Sequence, residues 1–125
     1  MEKQRVYIDK YDWLVDIFFL PTKQDMPFIL NEMYKNGASP SSFDAVSCNM
    51  CKKNGGCAYT NPYSKYTMLI IGRVTNLGEF FNTFVHEINH LCSAIEEEYC
   101  IDPHGEEASY LIGDTTMQIF NQICE

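Results

Sequence analysis

Asn82-Thr83-Phe84-Val85-His86-Glu87-Ile88-Asn89-His90 lies inside the longest stretch of the chain that carries a helical period. Phe80, Phe81, Phe84, Ile88, Leu91 and Ile95 recur at spacings of three and four, which makes one apolar stripe on a helix. Asn76 or Thr75 stands where an N-cap belongs, so the pattern predicts a helix from about Leu77 to Tyr99. A single stripe needs something to cover it, and the flanking sequence offers candidates on both sides.

On the C-terminal side, Cys100-Ile101-Asp102-Pro103-His104-Gly105 is a short link into a last helix, from about Glu106 to Ile123. On the N-terminal side, Cys57 to Thr60 and Tyr66 to Arg73 form a candidate hairpin with Asn61-Pro62-Tyr63-Ser64 between its strands, and Asn54-Gly55-Gly56 makes the turn before it. The unbroken run Met68-Leu69-Ile70-Ile71 reads as a strand covered on both faces. Further back, Arg5 to Asp9 and Trp13 to Leu20 read as two strands joined through Lys10-Tyr11-Asp12, the second ending at Pro21. Thr22 or Asp25 can cap a helix with Pro27 in its first turn, an apolar face of Phe28, Ile29, Met33 and Tyr34, and a stop at Gly37. Ser39-Pro40-Ser41-Ser42 restarts the chain into a short helix through Phe43, Val46 and Met50. The expected class is α+β: a small twisted, mostly antiparallel sheet packed on helices, in one domain over residues 1–125.

A chain of 125 residues can bury well over half of its unfolded surface, and 46% hydrophobic with 14% aromatic content argues for a folded globule. A net charge of −8 argues against nucleic acid as a partner, since nothing would neutralise its phosphates. The polar start Met1-Glu2-Lys3-Gln4-Arg5 is unlike a leader, and the run Trp13 to Leu20 contains Asp16 and is far too short to span a bilayer. The expectation is a soluble, cytoplasmic protein without a membrane partner. Its six cysteines are then expected as reduced thiols rather than three disulfides.

On a helix, His86 and His90 share one face with Cβ atoms roughly 5–6 Å apart, so both imidazoles can point at one metal ion. Glu87, beside the first of them, sits next to that ion without coordinating it, where a carboxylate can take a proton from a bound water. Zinc lowers the pKa of such a water from about 15.7 to roughly 7. Two of the three histidines fall at this spacing with Glu between them, which favours a site over two incidental histidines. A catalytic zinc wants three protein ligands and an open position. The remaining donors nearby are His104 and the pair Glu106-Glu107, which opens the next helix and approaches if that helix folds back antiparallel. Glu96 is a poorer candidate, because Ala94 keeps the chain helical where a glycine turn would be needed to bring it round.

These residues resemble the gluzincin metallopeptidases, in which one helix carries the two histidines and the next a glutamate. There the glutamate is followed three residues on by a small residue and then a polar one, a register matched by Glu106 with Ser109 and Tyr110 and not by Glu107. More closely, Asn82 to His90 followed by Gly105-Glu106-Glu107-Ala108-Ser109-Tyr110-Leu111-Ile112-Gly113 resembles small peptidase-like proteins of phages and mobile elements. That similarity reaches back to Asn54-Gly55-Gly56-Cys57-Ala58-Tyr59-Thr60-Asn61 and spans roughly the C-terminal two-thirds. The resemblance implies a minimal zincin-like fold and one Zn²⁺ held by His86, His90 and Glu106. It also implies Glu87 as general base and a peptide or protein substrate. It further implies a tyrosine or histidine at the oxyanion, for which Tyr110 and His104 are available, and a second subdomain for which this chain is too short. The competing expectation is a zinc-stabilised binding module without turnover.

Two features stand outside this reading. Cys48-x2-Cys51-x5-Cys57 has thiolate spacing suited to tetrahedral zinc but no evident fourth ligand. Glu96-Glu97-Glu98 places three like charges near a helix C-terminus, where they oppose the dipole.

Overall fold

The computed structural model describes residues 1–50 and 52–124, apart from the side chains at 45 and 47–50. The chain runs β1 (Glu2–Ile8), β2 (Trp13–Phe19), α1 (Met26–Lys35), α2 (Pro40–Met50), β3 (Gly56–Asn61), β4 (Tyr66–Ile71), α3 (Leu77–Tyr99) and α4 (Glu106–Cys124). The four strands form one mixed sheet in the order β1-β2-β4-β3. β1 pairs antiparallel with β2, β3 antiparallel with β4, and β2 parallel with β4. The parallel pair requires a crossover, and α1, α2 and β3 supply it. The expected α+β class is therefore present, with a mixed sheet. No helix among the described residues is long and apolar enough to cross a membrane.

Alternation along the strands builds two cores, one on each face of the sheet. Trp13, Val15 and Ile17 of β2 and Leu69 and Ile71 of β4 face α3 and α4, meeting Phe84, Ile88, Leu91 and Ile95 of the α3 stripe and Leu111 and Ile119 of α4. Phe18 of β2 and Tyr66, Met68 and Ile70 of β4 face the other way, against Ile29 and Met33 of α1 and Val46 of α2. All of β4 is buried, as its unbroken apolar run requires. The apolar face expected for α1 is narrower than its sequence suggests. Ile29 and Met33, one turn apart, are fully buried, whereas Phe28 is 46% and Tyr34 69% exposed.

Asp16 is the one charged side chain of the sheet with no exposed surface. It sits opposite Arg5 in the β1–β2 register. The Arg5 guanidinium donates from Nε and Nη2 to its two oxygens at 2.8 and 3.1 Å, and Tyr66 Oη donates to Oδ2 at 2.8 Å. Burial alone would raise the Asp16 pKa, but these hydrogen bonds and the charges of Lys3 and Arg5 outweigh it and hold the carboxyl below its ordinary value. A carboxyl depressed in the folded state adds stability that is complete above the unfolded aspartate pKa of about 3.9 and disappears as pH falls through the folded value. Urea midpoints of the wild type are therefore expected to fall as pH is lowered from 5 toward 2. Asp16→Asn should be less stable at neutral pH and show a flatter acid limb. An unchanged acid limb would remove Asp16 from this account.

Candidate metal centre

Asn76 starts α3: its side-chain oxygen accepts the Glu79 amide at 2.9 Å, as an N-cap does. From there the helix runs without a break to Tyr99, where Cys100 adopts a left-handed conformation and donates its N–H to Glu96 O. One face of α3 lies on the sheet and carries Glu87 down with it, leaving that carboxylate only 3% exposed. The next face round holds His86 and His90 at the surface.

The imidazoles converge. His86 Nε2 and His90 Nε2 are 3.2 Å apart, with ring planes 75° to one another. Two neutral rings at this distance share a hydrogen bond, one donating and one accepting. It is also the separation a tetrahedral zinc imposes: two nitrogens each about 2.0–2.1 Å from the ion are roughly 3.3 Å apart. Glu87 Oε1 lies 3.7 Å from His86 Nε2, and Glu87 Oε2 is buried with no hydrogen-bond partner. Burial pushes the Glu87 carboxyl above the ordinary glutamate value, and the neighbouring His86 draws it partly back. Among the described residues, His86, Glu87 and His90 are the one group of three potential ligands whose donor atoms all fall within 4.8 Å. Two convergent imidazoles beside a carboxylate with an unsatisfied oxygen are a donor set that suits zinc.

The structure does not bring Glu106 to this group, and the reason is the length of α3. The last helix does fold back antiparallel, as expected: Phe120 near its end stacks on Phe81 near the start of α3, and Thr115 lies buried beside the Cys92 thiol. But α3 continues nine residues past His90, so the first turn of α4 lies roughly 15 Å further along the axis. At about 3.6 residues per turn, Phe81, Phe84 and Cys92, which meet α4, also fall on the face roughly opposite His86 and His90. Glu106 is exposed there. Its neighbour Glu107 accepts a hydrogen bond from Tyr11 Oη at 3.1 Å. His104 and Tyr110 are likewise away from the imidazoles. His104 is exposed in the link with its N–H on Asp102, and Tyr110 lines a different depression with Asp114 and Gln118.

What borders the imidazoles instead is β3, the end strand of the sheet. A cleft of about 410 Å³ runs between β3 and α3, lined by Gly56, Ala58 and Thr60 on one wall and by His86, Glu87, His90, Ser93 and Glu97 on the other. Gly56 sets its depth. A Cβ there would come within 2.7 Å of Thr83 Cγ2 and 3.1 Å of Glu87 Cγ, so only glycine lets the helix close onto the strand at the site. Thr83 helps hold that closure, donating to Asn54 O at 2.9 Å. Ser93 and Glu97 follow His86 at seven and eleven residues, which is the helical period, so the sequence alone carried a signal for them. The wall from β3 carried none, since strand order is not a local property.

Of the described thiols, Cys92, Cys100 and Cys124 are unbridged. Cys51 and the Cys48 side chain lie outside the described residues, so the three-cysteine spacing has no structural counterpart here. Comparison of the chain with models of protein families, with curated proteins and with solved structures gives no match. The resemblance to gluzincins therefore rests on the motif residues themselves.

Proposed function

We propose that the protein is a zinc-dependent hydrolase of peptide bonds, with His86 and His90 as metal ligands and Glu87 as the proton carrier. The observation that carries this reading is the 3.2 Å approach of the two Nε2 atoms next to the buried, unpartnered Glu87 Oε2. Zinc, when bound, supplies Lewis acidity, polarising the scissile carbonyl and acidifying water. The rest falls to the chain. Glu87 Oε2 has no competing partner among the described residues, so it is available to accept a proton from the attacking water and return it to the leaving amine as the C–N bond breaks. Burial favours the protonated form that must exist between those two transfers.

A peptide substrate is supported by the wall opposite the imidazoles. β3 pairs with β4 on one side only, and an extended segment added to its other edge would run along the cleft past both histidines. On this reading the fold is a minimal zincin-like one, with α3 under the edge strand and α4 serving as core rather than as ligand donor. A second reading, a zinc-stabilised binding module without turnover, is favoured by the distance of Glu106, which leaves two imidazoles where three protein ligands are usual.

Equilibrium dialysis against Zn²⁺ tests the metal. One ion per chain is expected for the wild type, with loss of binding in both His86→Ala and His90→Ala and retention in Glu106→Ala. Absence of zinc binding by the wild type would dispose of both readings.

A further inference from the structure

The Glu96-Glu97-Glu98 run is electrostatically costly where it stands. The last carbonyls of α3 already carry negative partial charge, and three carboxylates add to it. Glu97 faces the cleft, on the same wall as His86, His90 and Ser93. It has no hydrogen-bond or ion-pair partner among the described residues. A second carboxylate opens on the same cleft: Glu87, 3% exposed, with Oε2 unpartnered. Towards the start of α3, a second depression is lined by Asn54, Asn82, Thr83, His86 and again Glu87. Glu97 lies beyond His90, at the other end of the wall.

We propose that Glu97 makes this cleft selective for peptides with a lysine or arginine at a fixed distance to one side of the bond that is cut. This rests on the peptidase reading for where the substrate lies. Seven residues of helix separate His90 from Glu97, a rise of about 10.5 Å. An extended peptide covers that in about three residues, so the cationic side chain belongs two to four positions from the scissile bond. The cation compensates both Glu97 and the negative helix end, which gives Glu97 a role that helix formation alone does not. Glu97 lies to one side of the imidazoles, so the preference it sets is one-sided.

A random peptide library incubated with the zinc-loaded protein, with products read by mass spectrometry, tests this. Wild type is expected to enrich lysine and arginine about fivefold at one position, the size of an exposed ion pair. Glu97→Gln should abolish the enrichment while cleavage continues, and Glu97→Lys should turn the preference toward aspartate and glutamate. In parallel, immobilised zinc-loaded Glu87→Gln and Glu87→Gln/Glu97→Gln capture peptides from the same library without cutting them. Cleavage with no cationic preference, or with one that survives Glu97→Gln, overturns the inference and leaves the peptidase standing. No cleavage, but Glu97-dependent capture of cationic peptides, overturns the peptidase and keeps the cleft's selectivity. Neither cleavage nor cationic capture overturns both.

Discussion

Glu87→Gln is expected to retain zinc and to lower kcat for peptide hydrolysis by about 10²–10⁴-fold, the usual contribution of a positioned acid–base group. Glutamine matches glutamate in shape, so packing against Gly56, Thr83 and the sheet should survive. The change removes only the ability to accept and return a proton at the Oε2 position. The imidazoles, one residue before and three after, are untouched. Zinc content by elemental mass spectrometry and kcat on a cleaved peptide are to be measured on the same preparation. Retained zinc with lost turnover fits the hydrolase. Equal turnover in both proteins would take Glu87 out of the chemistry, and a wild type that binds zinc and peptides but never cuts them is the binding module.

Trp13→Ala is expected to cost about 3–5 kcal/mol, the range for deleting a buried large aromatic. Against a typical total of 5–15 kcal/mol for a domain, roughly, that is a large share. Trp13 has no exposed surface and fills the core between the sheet and α3/α4. Its indole N–H donates to Thr67 Oγ1 at 2.9 Å, and Thr67 in turn shares a hydrogen bond with Thr60 Oγ1 at 2.8 Å. Thr60 is part of the cleft wall, so this buried chain of contacts ties β3 to the interior. Trp13→Phe keeps most of the ring volume but loses the donor, and should cost markedly less than alanine. Urea unfolding followed by circular dichroism is the measurement, because the chain has a single tryptophan and the variants lose its fluorescence. An alanine variant with the wild-type midpoint would contradict the burial described here.

The elements of this fold were legible because their signals are local. The α3 stripe, the Asn76 cap and the left-handed Cys100 that ends the helix fall where the spacing predicts, over Leu77–Tyr99. The run at Met68–Ile71 announced a doubly covered strand, and β4 is that strand. Boundaries shifted by a few residues: β1 begins at Glu2 rather than Arg5, and β4 stops at Ile71 rather than Arg73. Tertiary choices were not legible. Phe28 and Tyr34 have the hydrophobicity of core residues, but on the sheet face under α1 it is Ile29 and Met33 that are fully buried, with Leu30 at the margin and Phe28 reaching only an edge of Phe18.

The site divides along the same line. His86, Glu87 and His90 lie within a turn and a half of one helix, so their grouping follows from helix geometry. Glu106 depended on how two helices dock. Its register was sound within α4, but the nine residues of α3 beyond His90 carry the start of α4 away from the imidazoles. Both bounds, Tyr99 and Glu106, follow from the sequence, so this separation was legible in them, while the register of Glu106 pointed the other way. Gly56 was read as part of a turn, and its real constraint, the approach of Thr83 and Glu87 on a helix much later in the chain, is invisible to local reading.

Because α4 covers the side of α3 turned away from the imidazoles, the molecule has a back. A helix is about 10–12 Å across with its side chains, so whatever is attached to the outer surface of α4 stands at least that far behind the cleft. Met117 and Tyr110 are 60% and 64% exposed on that surface. A fluorophore, spin label or tether placed at Met117 would leave the mouth of the cleft unobstructed. The protein can therefore be mounted on a surface or a bead facing outward, with every copy presenting its histidines to solution.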